Sequence, residues 1–284
     1  MSEIVQEQPA TIASHPNSSI TGDLRLHDFR SRIFRNTRKL RIWLPPGYEE
    51  VGNTRRYPVF YLQDGQNLFD RTIAFGGVEW QVDETADRLI RENKIPPLIL
   101  VGIDNMQEAR IREYLPYRSF NPPVLRPQGK HYPEFMLREV MPFVEQSYRI
   151  AKGAENTGIG GSSLGAIVSM YSAMALRGTF GRLLLESPSL FISNRQLLRD
   201  SRAFQDWPHR IFLAMGTRET GREDKDAIFV EDVRELEAIL KRRGLAPERL
   251  LVNIQEGAPH SEGAWASRFP EALSFLFGEQ SHHL

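Results

Sequence analysis

From about Gly22 the chain alternates short runs of β-branched and aromatic residues with longer segments at helical spacing, the pattern that a parallel sheet covered by helices leaves in a sequence. Tyr57–Gln63 and Leu98–Ile103 are nearly continuous apolar runs, as expected of strands buried on both faces. Between them, Val82–Glu92 places Val82, Ala86, Leu89 and Ile90 on one helical face. Two earlier strands, Leu24–Phe29 and Arg38–Leu44, are expected to pair antiparallel at an edge, the second stopped by Pro45-Pro46-Gly47. Further strands are read at Thr157–Gly160, Arg182–Glu186, Ile211–Met215 and Leu250–Gln255. Helices are read at Tyr132–Gln146, Leu164–Leu176, Asp226–Arg243 and Ala264–Phe277, the third of these ending at Gly244. The fold class is therefore α/β, a mostly parallel central sheet with helices on both faces.

Neither an internal repeat nor a composition shift marks a linker, so residues 22–279 are expected to form one domain, with tails at 1–21 and 280–284. The start of the chain lacks a basic stretch followed by an apolar run, and no apolar stretch approaches the ~20 residues that span a bilayer. A cytoplasmic protein is the expectation. Lys plus Arg and Asp plus Glu both number 36, so no net field draws the molecule to nucleic acid or an anionic membrane. Cysteine is absent, which excludes disulfides, thiolate metal sites and cysteine nucleophiles.

The most informative segment is Gly160-Gly161-Ser162-Ser163-Leu164-Gly165-Ala166, between an expected strand and an expected helix. Gly161 through Gly165 fits G-x-S-x-G with Ser163 at its centre; centring on Ser162 would put Leu164 where the second glycine belongs. That spacing serves a sharp strand-to-helix turn, which holds the serine in a strained backbone conformation with its hydroxyl exposed. The same turn sets the Leu164 N–H and the positive end of the next helix where an acyl oxyanion would develop.

A serine hydroxyl at neutral pH needs a base, and the fold that carries this turn orders its partners serine, acid, histidine. Of seven histidines, only His209 and His260 lie between Ser163 and the C-terminal tail. His209 directly precedes a strand, whereas His260 follows the last strand through Glu256-Gly257-Ala258-Pro259, where the base belongs. The acid is expected after Ile211–Met215. Glu219 is the first carboxylate beyond that strand, with Asp224 the next choice; its role would be to fix the histidine tautomer and stabilise the imidazolium. The second oxyanion donor comes from the loop after an earlier strand, here Asp64 to Asp70, with Gly65 allowing close backbone approach and Gln66 supplying the N–H.

Five segments together resemble the Putative esterase family of α/β-hydrolases, which includes enterochelin-esterase-like, feruloyl-esterase-like and S-formylglutathione-hydrolase-like members. They are Tyr61 to Asp70, Val101-Gly102-Ile103-Asp104-Asn105 with Glu113-Tyr114-Leu115-Pro116, Gly161 to Gly165, Glu186-Ser187-Pro188-Ser189, and His260-Ser261-Glu262 with Trp265. The resemblance spans about Arg38 to Phe277 and implies an α/β-hydrolase fold and serine-dependent ester hydrolysis, with Ser163 as nucleophile and His260 as base. It also implies an acid from the Gly216-Thr217-Arg218-Glu219 region. Ala166 stands where the family commonly has a further glycine.

The expected chemistry is a two-step acyl transfer on a small-molecule ester, needing neither a metal nor an organic cofactor. An arginine of the 110–126 region, Arg112 among them, could hold an anionic substrate group, and Tyr114 and Trp265 could form an aromatic wall beside Gly65. Two rivals remain on the same scaffold: an acyltransferase that passes the acyl group to an alcohol, and a binding module without catalysis.

Overall fold

Because successive side chains of a strand point to opposite faces, each apolar run divides between two cores. The computed structural model describes residues 10–11 and 17–278. In it Val59 and Tyr61 pack on one side of the sheet, and Phe60 and Leu62 on the other. Ile211 and Leu213, against Phe212 and Ala214, repeat the division.

The strands are β1 (Ala10–Thr11), β2 (Asp23–Ser31), β3 (Asn36–Leu44), β4 (Val59–Gln63), β5 (Ile99–Ile103), β6 (Ser119–Phe120), β7 (Pro123–Val124), β8 (Thr157–Ser162), β9 (Arg182–Glu186), β10 (Arg210–Gly216) and β11 (Leu250–Gln255). Nine of them form one sheet in the order β1-β2-β3-β5-β4-β8-β9-β10-β11, and β6 and β7 make a separate small hairpin. β5, β4, β8, β9, β10 and β11 run parallel, while β2 and β3 are antiparallel, as expected, with Asp23 opposite Leu44. β1 pairs outside β2 and so takes the edge.

The helices are α1 (Val82–Arg91), α2 (Arg110–Tyr114), α3 (Tyr132–Phe135), α4 (Met141–Ser147), α5 (Leu164–Ala175), α6 (Ile192–Ser201), α7 (Glu223–Arg242) and α8 (Glu262–Phe277). Side chains of α3, α4, α5 and α7 close one core, and those of α1 and α8 the other. Among the described residues no helix is long and apolar enough to cross a membrane.

Several boundaries differ from the sequence reading for local reasons. Tyr57 makes only an isolated bridge to Ile150, because Pro58 has no N–H with which to extend the ladder. The helix read over Tyr132–Gln146 is interrupted by a π-turn at Met136–Val140. Pro142 lies two residues beyond it, and the wider turn accommodates its missing N–H and its ring. α7 begins three residues before Asp226, with Glu223, Asp224 and Asp226 in its first turn, where the helix dipole favours negative charge. α6 was not foreseen, since its first residues carry no helical apolar spacing; Ser193, Asn194 and Arg195 have positive φ.

Of the expected tails, residues 1–9, 12–16 and 279–284 lie outside the described residues. Residues 18–21 are tied to the domain: Ser18 donates to Asp70 Oδ2 at 3.1 Å and the Thr21 N–H to Asp83 Oδ2 at 2.7 Å.

Candidate active site

β4 and β8 are adjacent, yet the chain leaves β4 toward β5 on one side and β8 toward β9 on the other. This is a switch in strand order, the place where open α/β sheets bind ligands beyond the carboxyl ends of their strands. Ser163 stands at that edge, between the end of β8 and the start of α5, with φ 56° and ψ −119°. For a residue with a Cβ that conformation costs about 1–3 kcal/mol, so its surroundings must hold it. The Ser163 N–H donates to the Glu186 carbonyl at 2.9 Å, and the Ile167 N–H to the Ser163 carbonyl at 3.3 Å.

The flanking glycines allow the close packing that the turn requires. A Cβ on Gly161 would lie 3.0 Å from Gln63 Cβ and 3.0 Å from the Gly165 carbonyl carbon. One on Gly165 would lie 3.0 Å from both Asp64 Oδ2 and Gln63 Cβ. The serine turn is therefore pressed directly against the exit of β4. Ser163 is partly exposed, and its Oγ lies 3.2 Å from Ser189 Oγ. Among the described residues the partner of this hydroxyl is Ser189, and not His260.

The acid and base candidates do meet. Glu219 follows β10, His260 follows the neighbouring β11, and His260 Nδ1 hydrogen bonds to Glu219 Oε2. The other oxygen, Glu219 Oε1, accepts from the Gly216 N–H at 2.6 Å and from Ser187 Oγ at 2.7 Å. Burial alone would raise the Glu219 pKa, but the bonds from His260, Ser187 and Gly216 outweigh it and hold the carboxyl below its ordinary value. Asp224, the alternative acid, is exposed and pairs with Arg222 at 3.0 Å.

Trp265 is buried rather than lining an open wall. Its indole N–H donates to Ser187 Oγ at 2.9 Å, and its ring meets His260 edge-on with centroids 5.0 Å apart. Gly216 is where the two loops touch: a Cβ there would lie 2.0 Å from the Ala258 carbonyl oxygen. Gly216→Ala is expected to displace the segment carrying His260 and lower kcat by at least about tenfold, since misplacement by ~1 Å can cost 10²-fold. Steady-state kinetics beside a thermal melt checks this.

The loop after β4 is fixed just as tightly. Asp64 has φ 58° and turns the chain into a 3-10 turn over Gly65–Asn67. A Cβ on Gly65 would lie 2.7 Å from the Gly102 carbonyl carbon, so the close approach foreseen for this glycine is made to β5. Arg110 grips Asp64 with two hydrogen bonds, at 2.6 and 2.7 Å, and Asn105 Nδ2 adds a third at 2.6 Å. Gln66 Oε1 accepts the Asn105 N–H at 3.1 Å, and Asn67 Nδ2 donates to Glu262 Oε1 at 3.2 Å.

Two expected substrate contacts need correction. Tyr114 is fully buried, and its hydroxyl accepts the Asp64 N–H at 3.3 Å, so it supports the loop from beneath. Arg112 is exposed and donates to the Arg126 carbonyl at 3.4 Å; Arg110, one helical position pair earlier, is the arginine that reaches the loop.

Sequence reasoning did not assign roles to Ser187 and Ser189, although both sit in the Glu186-Ser187-Pro188-Ser189 segment. Nor did it find the buried pair beneath them, in which Arg268 Nε and Nη2 donate to Glu186 Oε2 at 2.9 and 2.8 Å. Burial pushes Glu186 up to about 7 even with Arg268 beside it. A charged arginine on the buried face of an otherwise apolar helical stripe was the available signal. Ile73, Phe75 and Val78 also expose their side chains. Val78 lies near Gly263 at the start of α8, placing this apolar loop beside the His260 segment.

Residues 31–276 match the family described as Putative esterase. The uncharacterized protein YbbA of Bacillus subtilis (strain 168) is 25% identical over 249 residues, covering 85% of this chain and 93% of that protein. The siderophore hydrolase EstB from Aspergillus nidulans is similar with a TM-score of 0.71 at 16% identity, covering 97% of this chain and 99% of that one. The enterobactin esterase FES from Shigella flexneri, in the presence of enterobactin, gives 0.69 at 18% identity, covering 92% of this chain and 60% of that one. The chain thus spans about three fifths of the length of that esterase. At these identities the likeness to solved structures concerns the fold.

Proposed function

The chain belongs to the Putative esterase family, and from that premise we propose that it is an ester-hydrolysing enzyme that cleaves carboxylic esters through an acyl-enzyme on Ser163. The observation that carries this reading is that Ser163, held at φ 56° after β8, and His260, bonded through Nδ1 to the buried Glu219 after β11 and β10, all follow the carboxyl ends of strands of one parallel sheet.

In the proposed reaction Ser163 Oγ attacks the ester carbonyl while its proton passes to His260 Nε2, leaving a tetrahedral oxyanion. The Leu164 and Gln66 N–H groups would stabilise that charge. The packing of Gly165 against Asp64 supports this role, since it brings the two loops into contact. Collapse of the intermediate returns the proton from His260 to the alcohol, which leaves. Water, deprotonated by the same imidazole, then releases the acid. Glu219 holds the imidazole in the required tautomer and favours its protonated form during both steps. In the resting site the serine hydroxyl bonds to Ser189, so it must turn toward His260 for attack, a rearrangement within the range of exposed rotamers.

A fluorophosphonate probe tests the nucleophile: one adduct on the peptide containing Ser163, and none in Ser163→Ala, is the expected result. Labelling elsewhere would overturn the assignment. Glu219→Gln, which keeps the shape and removes the charge, is expected to reduce kcat by on the order of 10³–10⁴-fold, measurable with p-nitrophenyl acetate.

The names of two similar structures, an enterobactin esterase and a siderophore hydrolase, extend the proposal to siderophore esters as substrates. The exposed Ile73, Phe75 and Val78 offer apolar contact beside the segment that carries His260. Comparing kcat/KM for enterobactin with that for simple feruloyl and p-nitrophenyl esters tests this, and preference for the simple esters would defeat it.

A further inference from the structure

We propose that Glu79, Asp83 and Glu84 bind a hard divalent cation of the calcium type at the amino end of α1. One carboxylate oxygen from each lies within 4.8 Å of one from each of the others. An ion about 2.4 Å from every oxygen, the usual calcium distance, spans such a group. Asp83 is wholly buried and Glu79 is 5% exposed. Each of the three also carries an oxygen sealed from solvent that has no hydrogen-bond partner: Glu79 Oε2, Asp83 Oδ1 and Glu84 Oε2.

The remaining oxygens of two of these groups are occupied, which fixes their orientation. Ser19 Oγ donates to Glu79 Oε1, and the Thr21 N–H to Asp83 Oδ2 at 2.7 Å. Buried carboxylates this close cannot all remain ionised without a positive partner. Among the described residues no salt bridge to Lys, Arg or His reaches any of the three. The amino end of α1 supplies only about half a unit of positive charge. A cation would supply the rest, and an all-oxygen donor set suits a hard ion. It would also fasten residues 19–21 to α1, since Ser19 and Thr21 bond to the same carboxylates.

Terbium luminescence on the EDTA-treated full chain tests this, because Trp80 is next in sequence to Glu79 and can sensitise a bound lanthanide. Saturable emission that calcium displaces is expected, together with a Tm increase of about 5 °C at calcium near 100 times its Kd. Asp83→Asn keeps an acceptor for the Thr21 N–H, and the half-buried Glu84→Gln is a second, milder variant. Each should weaken calcium binding at least tenfold. Absence of saturable emission and of any calcium-dependent Tm shift in the parent would overturn the proposal, as would equal affinity in a folded variant; the three groups would then hold shared protons instead.

Discussion

Ser163→Ala is expected to lower kcat by on the order of 10⁴-fold or more on any hydrolysable ester while leaving the unfolding midpoint nearly unchanged. The activity loss follows from removal of the only atom that can form the acyl bond in the proposed reaction. The stability is spared because the turn is held by backbone and by glycine packing. Ser163 contributes its N–H to Glu186 and its carbonyl to Ile167, both of which alanine retains, and the contacts of Gly161 and Gly165 with Gln63 do not involve the hydroxyl. The hydroxyl's own bond, to Ser189 at 3.2 Å, is between two neutral groups and contributes roughly 0.5–1.5 kcal/mol at most. Kinetics with p-nitrophenyl acetate and urea unfolding of the same preparation separate the two effects. A variant that retains more than about a hundredth of the parental kcat would mean that another group is the nucleophile.

Arg268→Ala is expected to do the reverse, acting first on stability. Its side chain is 2% exposed and faces a carboxylate that is 1% exposed, so its removal strands a buried acid. Breaking such a pair typically costs about 3–5 kcal/mol. The sign of the pH dependence follows from Glu186. Its folded pKa, about 7, lies above its ordinary 4.5. Its contribution to stability is therefore fully present below about 4.5 and is lost as pH rises through about 7. Without Arg268 the folded pKa must rise further, and the loss deepens with pH. Urea denaturation should accordingly show a larger destabilisation at pH 8 than at pH 5, where the stranded carboxyl can take a proton; equal losses at the two values would contradict a charge-based account. Because Arg268 also donates to Ser187 Oγ at 3.5 Å, and Ser187 bonds to Glu219, the surviving folded fraction should have reduced kcat as well.

Ser163 and Arg268 differ in how plainly the sequence marks them. Ser163 stood out because its signal is local: glycines two positions to either side, a strand before and a helix after. The structure shows why those glycines are needed, in the 3.0 Å approaches to Gln63 and Asp64. The sheet strands were legible for the same reason, since two-sided burial writes itself as a continuous apolar run. Tyr114 was misread because a motif identifies a residue without saying which way its side chain points. It is fully buried beneath Asp64, whose carboxylate pairs with Arg110.

What the chain's own order of residues determined is therefore short-range: the α/β alternation, the strained serine turn, and a histidine following the last strand. These depend on backbone sterics and side-chain period, which act over a few positions. Tertiary structure alone decided which of several nearby carboxylates meets His260, that Ser187 and Ser189 stand under and beside the site, and that Glu186 pairs with an arginine 82 positions away. Hydrogen bonds and ion pairs operate over about 3 Å in space without regard to separation along the chain, so their partners become defined only when the strand order has brought distant loops to one edge of the sheet.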